Sequence, residues 1–132
     1  MRIFYLSLIL AVAVSACVDA DPFDLSERDI VGDYELEQWE DFSTYYFEDT
    51  EREYADFPDY GPIGGTVVQI GWDEDFIIIQ RKAHWGGQID GWMLVDVASK
   101  QITGPVAWEK LMLNEALRDI KIYTAAQAWE LF

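Results

Sequence analysis

TVVQIGWDEDFIIIQR, residues 66–81, is the stretch whose reading decides the fold. Two runs rich in β-branched and aromatic residues, Thr66–Trp72 and Phe76–Arg81, flank the acidic triplet Asp73-Glu74-Asp75. Val, Ile, Phe and Trp suit a pleated, half-buried surface, whereas Asp and Glu are poor in strands and Asp is a common turn residue. The pattern predicts a β-hairpin. Its second arm, Phe76-Ile77-Ile78-Ile79, is apolar at successive positions and so on both faces. A strand of that kind belongs inside a sheet, with neighbours on each side.

Candidate neighbours precede and follow it. Upstream, Val31–Trp39 alternates, with Tyr34 and Leu36 on one face and Asp33, Glu35 and Glu37 on the other, as in a strand with one wet face. A turn at Glu40-Asp41 leads to Ser43–Phe47, a strong β former that closes a first hairpin. The Gly32-Asp33-Tyr34-Glu35-Leu36 opening resembles the first strand of lipocalin-like barrels. Downstream, Trp92–Val97 reads as another apolar strand, Ile102-Thr103 as a short one and Ile120–Tyr123 as a last one. Pro105 stands where a helix through Trp108, Leu111, Met112, Glu115 and Arg118 would start. Thr124-Ala125-Ala126-Gln127 has the form of a capping box, predicting a closing helix over Ala125–Leu131 that packs Trp129 on the sheet. Strands first and helices last predict a small α+β fold: an antiparallel meander of five or six strands, one helix and a short C-terminal helix.

The 132 residues suffice for one domain. Charge is unevenly spread along them. Asp19 to Asp59 holds 16 acids against Arg28 and Arg52, a net of −14 within a total of −16. Such a field repels nucleic acid, which is excluded as a partner, and attracts basic proteins. It also keeps a protein soluble without any partner, so a structural or housekeeping role with a merely solubilising surface is the alternative.

The N-terminus reads as an address. Arg2 is followed by an apolar run from Ile3 to Val14, then by small residues and the one cysteine of the chain. That run is too short to span a bilayer core of about 30 Å and has the layout of a signal peptide. Val14-Ser15-Ala16-Cys17 resembles a bacterial lipobox. The resemblance implies cleavage after residue 16 and acylation of Cys17, with diacylglycerol and palmitate-type chains anchoring the protein in the bilayer. Val18, rather than Asp, after the cysteine implies the outer membrane, facing the periplasm, if the source is Gram-negative. The expected organisation is a signal peptide at 1–16, a lipidated Cys and tether at 17–29, and one domain at 30–132. The layout resembles that of small bacterial lipoproteins.

Chemistry is sparse. His84 is the sole histidine, without a nucleophile at a telling spacing, and zinc would need three or four His or Cys ligands. No phosphate-binding or EF-hand loop is present, so neither a catalytic residue nor a cofactor nor a metal is expected. Glu48–Gly65 is the odd segment, with acids set among aromatics and broken by Pro58, Pro62 and Gly64-Gly65. Long irregular stretches of this kind are often functional. Glu51, Glu53, Tyr54, Asp56, Phe57, Asp59 and Tyr60, with Trp85 from the Gly-rich loop after the central hairpin, are the candidate docking residues for a basic protein, an immunity-type interaction being one form. Alternatively Tyr54, Phe57 and Tyr60 fold over the sheet edge with the acids outside. Trp72, Trp85, Trp92 and Trp108 pose the same choice between binding anchor and core lid.

Overall fold

The computed structural model describes residues 26–52, 61–84 and 86–132. They form one antiparallel sheet. Its strands are β1 (Glu27–Val31), β2 (Tyr34–Gln38), β3 (Tyr45–Asp49), β4 (Gly65–Trp72), β5 (Phe76–Ala83), β6 (Gly91–Asp96), β7 (Ile102–Val106) and β8 (Ile122–Thr124). The first seven follow one another in space as a meander, and β8 returns to pair with β4. The antiparallel meander is as expected, but the described residues hold eight strands rather than five or six. One strand is additional and another is longer than expected. β1 begins at Glu27, within the stretch 17–29 read as a tether, and runs on to Val31 as an edge strand, while Ile102-Thr103 extends through Gly104 and Pro105 to Val106. An edge strand tolerates proline because its N–H side need not join a ladder.

The central hairpin forms as its sequence predicts. β4 and β5 pair from Gly65↔Ala83 to Trp72↔Ile77, and Asp73 closes the turn by accepting the Asp75 and Phe76 amides on Oδ1, each at 2.8 Å. Ile77, Ile78 and Ile79 are completely buried between β4 and β6. Each such side chain contributes roughly 1.5–3 kcal/mol of transfer free energy. The three face two different cores. Ile77 and Ile79 join Tyr34, Leu36, Phe47, Val67, Ile70, Val95 and Trp129 on the inner face. Ile78 joins Leu111, Leu117 and Ile120 on the outer face, beneath the segment that follows β7.

That outer cover departs from the predicted helix. Helix α1 is only Trp108–Leu111, and a separate 3-10 turn spans Glu115–Leu117. Pro105 lies in β7 rather than at a helix start, and Asn114 interrupts by capping the Ala116 amide with its side chain at 3.0 Å. Asn competes with helix continuation by bonding to nearby backbone in this way. The closing helix α2 (Ala125–Trp129) has both halves of its capping box: Thr124 Oγ1 accepts from the Gln127 amide at 3.2 Å, and Gln127 Oε1 from the Thr124 amide at 3.0 Å.

β4 changes partners along its length. It meets β3 only at Tyr46↔Thr66, bulges near Val68, and then pairs with β8 from Gln69 to Gly71. Gly71 permits this exchange, because a Cβ there would lie 2.4 Å from the Lys121 carbonyl oxygen. Two cations hold the ends of the sheet. Arg81, buried at the end of β5, donates to the carbonyls of Ile63 and Ile89, which fixes the loops on either side of it. Lys100, in the β6–β7 turn, reaches Asp33 in the β1–β2 turn at 3.2 Å and Asp49 at the end of β3 at 3.3 Å.

Candidate functional site

The β1–β3 half of the sheet has two unlike faces. Strand periodicity sends Tyr34 and Leu36 of β2, and Tyr45 and Phe47 of β3, into the inner core. The alternate positions then fall on the outer face. Register places Glu27 opposite Glu37 and Asp29 opposite Glu35 across β1–β2, and Glu35 opposite Glu48 and Glu37 opposite Tyr46 across β2–β3. Five carboxylates thus lie on one face of three short strands. Arg28 is the only basic residue within these strands. It faces the other way, its guanidinium 4.4 Å over the Trp129 ring.

Like charges directly opposite one another weaken a sheet. The carboxyls register that crowding. Glu35 is raised above the ordinary glutamate value by burial, and then by the charges of Glu27 and Asp29. Glu37 is raised by burial and by Glu27. An open groove of about 560 Å³ runs beside Glu27, Arg28, Asp29, Glu35 and the C-terminal Phe132. The acids are nevertheless spread along the face rather than gathered. Among the described residues no three His, Cys, Asp or Glu side chains converge to hold a metal ion.

At one end this face runs into aromatic residues. Trp39 follows Glu37 with the same parity and meets Tyr46 edge-on, ring centroids 6.0 Å apart. The turn from Trp39 to Thr44 is tightly bonded. Asp41 Oδ1 accepts the Ser43 amide at 2.9 Å and the Thr44 amide at 2.8 Å, while Oδ2 accepts the Thr44 hydroxyl at 2.5 Å. Those bonds, the Thr44 hydroxyl first, hold the Asp41 carboxyl below the usual aspartate value. A second open cleft, of about 340 Å³, lies where β3 and β4 part and is lined by Ser43, Thr44, Thr66, Val67 and Thr124 among others.

Of the docking residues expected from the sequence, Glu51 is exposed just after β3, its amide on Asp49 Oδ1 at 3.0 Å. Glu53, Tyr54, Asp56, Phe57, Asp59, Tyr60 and Trp85 lie outside the described residues, as does Cys17 with the whole lipobox. Three of the tryptophans whose role was open belong to the packing. Trp92 and Trp108 lie 4.5 Å apart in the outer cover, and Trp72 stacks on Phe132 at 5.6 Å. Glu27 and Asp29 were not expected at a site. Their signal was the alternation Glu27-Arg28-Asp29-Ile30, obscured because the inward position carries an arginine.

No known protein family, no curated protein and no solved structure matches the chain. Among the described residues no helix is long and apolar enough to cross a membrane.

Proposed function

We propose that this chain is a lipid-anchored lipoprotein of the cell envelope whose folded part is a non-catalytic docking module for a basic protein. One observation carries the docking reading: the outer face of β1–β3, where Glu27, Asp29, Glu35, Glu37 and Glu48 face one another across the strands. A ladder of opposed carboxylates costs stability in the free protein, and a partner bearing Lys or Arg relieves that cost on binding. Because the acids are distributed along the sheet, an extended cationic surface matches them better than a single ion. Immunity-type neutralisation of a basic toxin has this form. The anchor rests on the lipobox-like Val14-Ser15-Ala16-Cys17, with the first strand beginning ten residues after Cys17.

Metabolic labelling with palmitate in a bacterial host tests the anchor. Label should enter the wild-type chain and be lost in Cys17→Ser, and equal labelling of the two would refute acylation at that position. Retention of envelope proteins at low and high salt tests docking. A basic protein held at low salt, released at high salt and lost from the Glu35→Lys/Glu37→Lys variant is the expected result, since exposed charge contacts are screened over about 10 Å at 0.1 M. If both forms retain the same proteins, the acids serve only to keep the surface solvated.

A further inference from the structure

Phe42 combines two properties that rarely coincide. It is 77% exposed, and its φ is +59°, in the left-handed region where Gly and Asn are favoured over a residue with a bulky side chain. Nor is it a loose tip. The Asp41 carboxylate accepts from the Ser43 amide and from the Thr44 amide and hydroxyl, the Phe42 amide donates to the Trp39 carbonyl at 2.9 Å, and Gln38 Nε2 donates to the Phe42 carbonyl at 3.4 Å. The turn therefore holds an aromatic ring out in water on a firm base. Three residues earlier stands Trp39, 51% exposed and braced on Tyr46. Trp39 continues the parity of the acidic face and meets its Tyr46, and in sequence Glu37, Glu40 and Asp41 flank the two aromatics.

We propose that Trp39 and Phe42 are the anchor of the docking face and insert into an apolar pocket rimmed by Lys and Arg on a basic protein. The inference rests on the reading of β1–β3 as that face. Charge complementarity selects the occupant: a pocket receiving these rings must also meet three neighbouring acids, and an anionic lipid surface would repel them. Tight aromatic anchors beside a charged field divide the work of binding, the anchor setting how slowly the complex comes apart and the charges how fast it forms.

The test uses the full-length protein in mild detergent, immobilised and exposed to envelope extract at low salt. The basic protein retained is identified by mass, purified and titrated against wild type, Phe42→Asn and Glu35→Gln/Glu37→Gln. Phe42→Asn, which places a residue suited to positive φ in the turn, should melt no lower than wild type. It should weaken binding by roughly tenfold or more through faster dissociation, with the association rate and salt dependence unchanged. The acidic double variant should associate more slowly and with a flatter salt dependence. If Phe42→Asn dissociates like wild type while the double variant is weakened, the anchor is overturned and the acidic face stands. An unaffected double variant overturns the acidic face and the cationic rim together, and retention of no basic protein overturns both readings.

Discussion

Asp29 lies directly across the β1–β2 ladder from Glu35, carboxylate beside carboxylate on one face of the sheet. With Glu27 opposite Glu37 two residues away, the edge of the fold is held together against its own charge. Glu35 and Glu37 both bind protons more tightly folded than unfolded. Folding therefore takes up protons from the unfolded-state pKa, about 4.3, up to the higher folded values. Stability falls as pH rises through that window, so acidification from neutral to about pH 4.5 should stabilise the protein. Asp41 acts with the opposite sign lower down. Its folded pKa is depressed, so its contribution is present above the unfolded value, about 3.9, and is lost as pH falls through the folded one. Thermal melts between pH 3 and 8 should show a maximum in the mildly acid range, and a melting temperature that climbs steadily to pH 8 would contradict this account. Glu35→Gln/Glu37→Gln should raise stability at pH 7 by about 0.5–1 kcal/mol.

In Phe42→Asn the backbone keeps its +59° φ but loses the penalty of a bulky side chain there. A gain of about 1 kcal/mol is expected, read as a higher urea midpoint with an unchanged slope. Asp41→Ala should move the midpoint the other way, since it removes the acceptor that the Ser43 and Thr44 amides share.

Gly71→Ala should separate β8 from β4. The new Cβ would sit 2.4 Å from the Lys121 carbonyl oxygen and 2.6 Å from Ile122 Cδ1, so the strands must move apart at a cost of about 1–3 kcal/mol. Helix α2 follows β8 directly and carries Trp129, so the near-ultraviolet circular dichroism should change with it. Gly86→Ala is the control, because nothing lies within 4 Å of a Cβ there.

Ile78→Ala opens a cavity beneath Leu111, Leu117 and Ile120. The expected loss is about 2–5 kcal/mol, a large part of the 5–15 kcal/mol typical of a domain. Leu113→Ala, at a position 76% exposed on the same segment, should change little by the same denaturation measurement.

What could be read in the sequence follows from unbroken local patterns. Tyr34-Glu35-Leu36-Glu37 alternates and specifies a strand and its buried side, the continuous apolar run Phe76–Ile79 specifies a strand buried on both faces, and Thr124 with Gln127 specifies a helix start. β1 escaped because Arg28 occupies an inward position, made tolerable by the Trp129 ring on which it lies. The helix after β7 was overread because the apolar spacing through Trp108, Leu111 and Met112 serves two short turns as well as one longer helix. Of the site, the acidity of Glu35 and Glu37 was evident from alternation alone. Their opposition to Asp29 and Glu27 depends on register, which a tertiary fold fixes and a single strand does not display. The exposure of Phe42 depends likewise on a turn whose Asp41 bonds are visible only in three dimensions.

The sheet is also asymmetric as a mechanical object. A pull on the chain ahead of Glu27 loads β1 at the open end of its hairpin, where Glu27 faces Glu37, and peels the strand toward the turn at Gly32-Asp33 one pair at a time. The Lys100 clasp on Asp33 and Asp49 is reached last. Tension applied there meets the opposed acids of β1 and β2 pair by pair, together with the packing of Ile30 and Val31 on the inner core, before it reaches that clasp.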